Sequence, residues 1–366
     1  MPNRASMVFA IVLTASTGPA AAAGPRVVNV YNWSDYIAED TLENFTKASG
    51  IKVTYDVYDA NETLEAKLLA GKSGYDVVFP SAQPFAQRHI ASGIYRRLDR
   101  SKLPHYKHLD PEILKALEKV DPGNQYVVPY MWGTTGIGYN INKVAEALGS
   151  DAPVDSLRLL FDPAVVAKLA RCGVTLMDDE AEGLGAALIY LGKNPNTNDP
   201  KDIEAAAEVI SKVRPYIRYF HSSQYINDLA NGDVCVAQGY SGDVLQARDR
   251  ADEAGNDVEI GYSIPKEGAI LWFDVIAIPK DAPHPDDAHA FIDYLLVPDV
   301  IADITNYVSS ANPNLAATAL VDEEIRADQA IYPPAEVRAR LVTSEVPPAE
   351  VQRLRTRTWT RVKTGR

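Results

Sequence analysis

The feature that most limits how this chain can fold is the alternation of strand-like and helix-like segments between residues 27 and 80. Val27 to Trp33 is β-branched and aromatic, and Ile51 to Tyr58 alternates with period two, so both read as strands. Between them, Asp40-Thr41-Leu42-Glu43 reads as a capped helix start, with apolar residues at helical spacing up to a stop at Gly50. Asn61 reads as the cap of a second helix, Glu62 to Ala70, which Gly71 ends. Tyr75 to Pro80 is a third strand, short, apolar and buried. Strands joined through helices by short connections lie parallel and wind in the right-handed sense, which makes the chain α/β.

At 366 residues the chain is too long for one ordinary core, so two domains are expected. Tyr126 to Asn140 is extended and Gly-rich, as a segment crossing between them would be. A second α/β region follows, with helices near Leu157–Ala170, Leu184–Leu191 and Ile203–Val213 and strands near Val174–Met177 and Asp233–Gln238. A further helix starts after Asp243, and Ile270 to Pro279 is again extended. The remainder reads as mostly helical, with boundaries at Pro283, Pro298 and Pro333-Pro334.

Arg4, the short apolar run Met7 to Leu13 and the small residues ending in Ala21-Ala22-Ala23 have the order of a secretory signal, which places the mature chain in the periplasm. Removing residues 1–23 takes away Arg4 and no acid, leaving 35 basic and 49 acidic side chains, a net charge of -14. Such a surface repels nucleic acid and anionic membranes and attracts cations. In an oxidising compartment the two cysteines, Cys172 and Cys235, are best read as one disulfide. A metal site is poorly supported without a His cluster, and Cys172 as a nucleophile is the lesser alternative.

In a parallel sheet, ligands sit beyond the carboxyl ends of the strands. Acids and aromatic rings gather there: Trp33, Ser34, Asp35 and Tyr36 in one group, with Ser81 at the next strand end, then Tyr240 with Asp243, and Trp272-Phe273-Asp274. The acidic stretch Asp178 to Glu182 follows another strand. A buried ammonium needs a carboxylate partner and gains about 1–2 kcal/mol from a well-placed ring face. A polyamine separates ammonium groups by methylenes, so its host alternates acids with rings. Taken singly, each group reads more simply as a solvated turn beside a core ring. Catalytic and cofactor readings are weaker. Gly239-Tyr240-Ser241-Gly242 lacks the spacing of a nucleophile elbow, His105 and His108 have no third ligand beside them, and no GxGxxG or Walker motif is present, so no cofactor or metal is expected.

The stretches Tyr31 to Ile37, Pro129 to Asn140 and Ile217 to Val236, above all Tyr219 to Leu229, resemble the periplasmic putrescine/spermidine-binding proteins of ABC importers. The likeness is greatest to the putrescine-binding member and covers essentially the mature chain. It implies the type II periplasmic binding protein fold, with two lobes, each a mixed sheet flanked by helices, and a ligand cleft between them. On that expectation lobe one comprises residues 26–132 and 275–325, and lobe two residues 133–274 and 326–366. The resemblance further implies a monomeric, non-enzymatic receptor that hands a polyamine to a membrane permease, and a Cys172–Cys235 disulfide. By local match, Trp33, Ser34, Asp35, Tyr36, Ser81, Glu182, Tyr240, Asp243, Trp272 and Asp274 would line the cleft, with Asp179 close to it. Asp243 and Asp274 would be the main ammonium partners. Three positions depart from the family pattern: Tyr240 stands where Trp is common, Trp272 where the putrescine type has Phe, and Ser310 where Tyr is usual. They bear on the length of the polyamine. The competing readings are a receptor or sensor for another cationic amine such as agmatine, and an exported amine-processing enzyme.

Overall fold

The computed structural model describes residues 26–365, and the expected export signal at residues 1–23 lies outside them. Ten strands form one continuous hydrogen-bonded system: β1 (Val27–Trp33), β2 (Lys52–Tyr58), β3 (Val77–Val78), β4 (Val127–Asn140), β5 (Val174–Leu176), β6 (Ile217–Phe220), β7 (Val236–Tyr240), β8 (Ile260–Ser263), β9 (Ala269–Ala277) and β10 (Leu341–Val342). The main path runs β2-β1-β3-β9-β4-β7-β5-β6, with β8 on β4 and β10 on β9. β1 is parallel to β2 and β3, and β5 is parallel to β6 and β7.

Two long strands join these parallel sets. β4 and β9 run antiparallel from Val127↔Ala277 to Thr135↔Ile270. At one end β9 meets β3 through Val78↔Ala277, and at the other β4 meets β7 from Thr135↔Tyr240 to Tyr139↔Val236. The hydrophobic core divides along the same line. One cluster gathers Val28, Phe45, Phe79, Ile276, Phe291 and Ile304; another gathers Ile137, Leu160, Leu176, Leu184, Val236 and Trp359. Full burial of each such side chain contributes about 1.5–3 kcal/mol, so each half is held by its own core and is joined to the other by β4, by β9 and by the chain between Val321 and Val351.

Local chemistry shifts several expected boundaries. Asp40 does not cap the helix Thr41–Ser49 with its side chain; its carboxylate accepts from Asn44 Nδ2 at 2.8 Å instead. The helix expected over Leu157–Ala170 is two, Arg158–Phe161 and Pro163–Leu169. Pro163 cannot continue the first, whereas Asp162 caps the second through Ala164 N. β3 is shorter than expected because Pro80 has no N–H. The Phe79 carbonyl accepts from Trp33 Nε1 at 2.7 Å and Tyr58 OH at 2.5 Å rather than joining the ladder.

Cys172 and Cys235 form a disulfide across a separation of 63 residues, joining the segment before β5 to the start of β7. A loop of that length contributes about 4 kcal/mol by restricting the unfolded chain. The Cys172→Ser/Cys235→Ser variant is expected to melt roughly 6 °C lower in a calorimetric scan. An unchanged melting temperature would show that the bridge adds nothing to stability.

Candidate functional site

The two halves are closed against each other over a cavity at the carboxyl ends of β1, β3 and β7. All of the candidate residues except Asp35 line it: Trp33, Ser34, Tyr36, Ser81, Asp179, Glu182, Tyr240, Asp243, Trp272, Asp274 and Ser310.

On the first half, Trp33 ends β1, and its indole is fixed by the Phe79 carbonyl and tilted against Tyr58 at 4.7 Å between centroids. Ser34 Oγ donates to the Tyr58 carbonyl at 3.4 Å. Tyr36 is buried, its carbonyl accepting from Tyr130 OH at 2.8 Å while its ring packs edge-on against Tyr130. Asp274, expected at a strand end in lobe two, lies instead within β9 and is held with the first half, pairing with Ser81 and accepting from its Oγ at 2.7 Å, because β9 crosses between the halves. Ser81 is itself gripped by Asn61, which donates from Nδ2 to Oγ and accepts from the Ser81 N–H, both at 3.1 Å. Asn61 is therefore the first residue of the helix Asn61–Leu69 and a holder of the site, not its cap; the N-cap is Ala60.

On the second half, Asp243 sits in the first turn of the helix Ser241–Ala254, and its Oδ2 accepts from Tyr225 OH at 2.6 Å. The same phenol oxygen accepts from Tyr240 N–H at 3.0 Å, so fully buried Tyr225 ties the acid to the end of β7. Nothing beyond the family-like run containing Tyr225 marked it in the sequence. Asp179 caps the helix Glu180–Tyr190, accepting from the Glu182 N–H at 3.0 Å. Glu182 is 6% exposed, and its Oε2 has no hydrogen-bond partner among the described residues. Tyr240 meets Trp272 edge-to-face at 5.6 Å.

Two close approaches set the width of the slot. A Cβ on Gly133 would stand 2.5 Å from Trp272 and 2.6 Å from Ser241 Oγ, so only glycine lets the indole approach β4 this closely. A Cβ on Gly242 would collide with Ser310 Oγ and come within 2.9 Å of the Val308 carbonyl. Ser310 thus packs against the start of the Asp243 helix and presents no ring.

Asp35 is placed differently from the expectation. It adopts a left-handed conformation, φ 55°, and its carboxylate pairs with Arg250 Nη2 of the opposite half at 2.9 Å, outside the cavity lining. The turn after β1 points this side chain along the rim while Ser34 and Tyr36 on either side face inward. Asp35 therefore bridges the closed mouth and is not part of the cavity wall.

Electrostatics decides what the cavity can hold. Among the described residues five acids line it, Asp59, Asp179, Glu182, Asp243 and Asp274, and no Lys, Arg or His does. Burial pushes the Asp274 carboxyl up to about 7, against the lowering effect of the hydrogen bond from Ser81. Burial likewise raises Asp243 to about 7, partly offset by Tyr225. Glu182 is raised by burial first and by the charge of Asp179 second. Carboxylates raised in this way lack a counter-cation, and an ammonium in the slot would supply it.

Residues 40–333 match the model of the bacterial extracellular solute-binding protein family. The chain belongs to that family. Among solute-binding proteins it is 55% identical to the putrescine-binding periplasmic protein of Pseudomonas aeruginosa over 98% of both chains. It is 52% identical to the putrescine-binding periplasmic protein of Escherichia coli over 98% of this chain and 97% of that one. A solved spermidine/putrescine ABC transporter substrate-binding protein from Streptococcus pneumoniae superposes with a TM-score of 0.75 at 29% identity, covering 93% of this chain and 99% of that one. The architecture is the type II fold of such solute-binding proteins, with β4 and β9 as the crossing strands.

Proposed function

We propose that this chain is an exported receptor that captures a linear polyamine between its two lobes and presents it to the permease of an ABC importer. The observation that carries the reading is the cavity itself, which joins five acids and the rings of Trp33, Tyr36, Tyr58, Tyr240 and Trp272 without one basic side chain among the described residues. Its relatives named as putrescine-binding support the same reading. Asp274 and Asp243, on opposite lobes, take the terminal ammonium groups, and Trp33 and Trp272 flank the methylenes. Release and capture follow a hinge motion in β4 and β9, and the Asp35–Arg250 pair forms only on closure. The receptor works as a monomer in the periplasm, with residues 1–23 removed.

A thermal-shift panel of putrescine, cadaverine, agmatine, spermidine and spermine tests the reading. Ligand at a thousand times its Kd stabilises by about 4 kcal/mol, which is roughly 6 °C for a chain of this size. At least one linear polyamine is expected to give that shift. A larger shift with agmatine than with any polyamine favours the guanidinium receptor, and no shift with any of the five removes the proposal.

A further inference from the structure

His221 directly follows β6, and its N–H donates to the Leu176 carbonyl at the end of β5 at 3.0 Å. Its ring Nδ1 accepts from two backbone groups, the Ser223 N–H at 3.1 Å and the Gln224 N–H at 3.0 Å. An Asn or Asp side chain caps a helix start in the same way. The helix Tyr225–Ala230 begins at the next residue, and Gln224 before it gives no side-chain cap of its own. The turn thus held carries Ser222 and Ser223 to the cavity wall, and it delivers Tyr225, whose phenol ties Asp243 to Tyr240. A ring that accepts at Nδ1 carries its proton on Nε2. That nitrogen faces Asp59 Oδ2 of the opposite lobe, 3.8 Å away, with the two side chains 39% and 49% exposed. The same short helix reaches the other rim contact, because Asn227 Oδ1 accepts from Arg250 at 2.9 Å and Arg250 pairs with Asp35.

Among the described residues Asp59 is the one cavity acid with a His, Lys or Arg at ion-pair distance. We propose that His221 is a positioning residue of the receptor: one ring nitrogen holds the turn that supports Asp243, and the other makes a closing contact with Asp59. Asp59 then serves lobe closure and not an ammonium group of the ligand. This rests on the polyamine reading above and deepens it by assigning residues to ligand release. The contact joins the two lobes, so it exists only when they are together and acts on dissociation, not on encounter. Both partners are half-exposed, and the effect is therefore a few-fold. Substitution separates the two ring nitrogens. Asparagine sets an oxygen near the place of Nδ1 and caps the turn, but it is too short to reach Asp59. Alanine gives up both contacts.

Stopped-flow tryptophan fluorescence and melting scans of the mature chain test the inference, with putrescine and spermidine as probes. The variants are His221→Ala, His221→Asn, Asp59→Asn and the His221→Asn/Asp59→Asn double variant. His221→Ala is expected to melt about 1–2 °C lower and to release its ligand about three- to five-fold faster. His221→Asn restores the melting temperature but not the slow release, and its association rate equals that of wild type. Asp59→Asn quickens release to the same degree, and the double variant goes no further than either single one. An asparagine that restores both properties or neither overturns the inference, as do effects that multiply in the double variant. So does a loss of affinity of about thirty-fold or more in Asp59→Asn alone, which makes Asp59 an ammonium partner and leaves the polyamine reading intact. Wild-type protein that binds neither amine removes both.

Discussion

Replacing Asp274 by Asn is expected to weaken diamine binding by at least a hundred-fold and to leave the empty protein as stable as before or more so. Removing one partner of a buried charge pair costs about 2–5 kcal/mol, because the other charge stays buried and unpaired. In the empty closed slot the sign is opposite. Asp274 is 6% exposed with only Ser81 donating to it at short range, and its carboxyl is pushed up to about 7 by burial. An amide there no longer asks for a buried charge. Asp243→Asn should behave alike, although the lost acceptor for Tyr225 OH makes its gain in stability smaller. Calorimetric titration and a melting scan of each empty variant measure the two effects. Diamine affinity within three-fold of wild type in both variants would end the assignment of these acids as ammonium partners.

Acidification should close the empty receptor and weaken it towards its ligand. With the lobes apart the site carboxyls are solvated and titrate near 4. In the closed empty slot Asp243 and Asp274 rise to about 7, and Glu182 rises as well, each chiefly through burial. Closure without ligand therefore takes up protons. Its relative stability is lowest above about pH 7, grows as pH falls through 7, and is complete below the open-state values near 4. A bound ammonium reverses the requirement, because it needs the carboxylates charged. Small-angle scattering of the empty protein is expected to show a smaller radius at pH 5 than at pH 8. Diamine affinity should drop at least ten-fold from pH 7 to pH 5. The Asp243→Asn/Asp274→Asn variant should lose most of the compaction. A radius and an affinity that both stay constant over this range would show that the buried carboxyls do not couple to closure.

The pairings at the site show how far local sequence reached. Trp33 and Tyr240 stand at the ends of β1 and β7, as periodicity indicates, whereas Asp274 lies inside β9, whose full length the local pattern did not show. Asn61 was read as a helix cap from its position, while its side chain serves Ser81, twenty residues away. Tyr225 carries no local signal at all, since its phenol is set by where the helix Tyr225–Ala230 packs against β7. Asp35 shared every local property of its neighbours, and only the approach of Arg250 from the other lobe, with a left-handed turn, assigns it to the rim.

The sequence by itself determined that this is an α/β chain in two parts, and which strand ends carry acids and rings. Those properties follow from side-chain periodicity and turn chemistry, which act over a few residues. It also carried the likeness to the polyamine-binding receptors. Only the tertiary structure decided that the acids face one another across a cavity without a base among the described residues, and that Gly133 and Gly242 allow its close approaches. Those facts depend on contacts between segments far apart in the chain, and on a desolvation that no carboxylate experiences until the lobes meet.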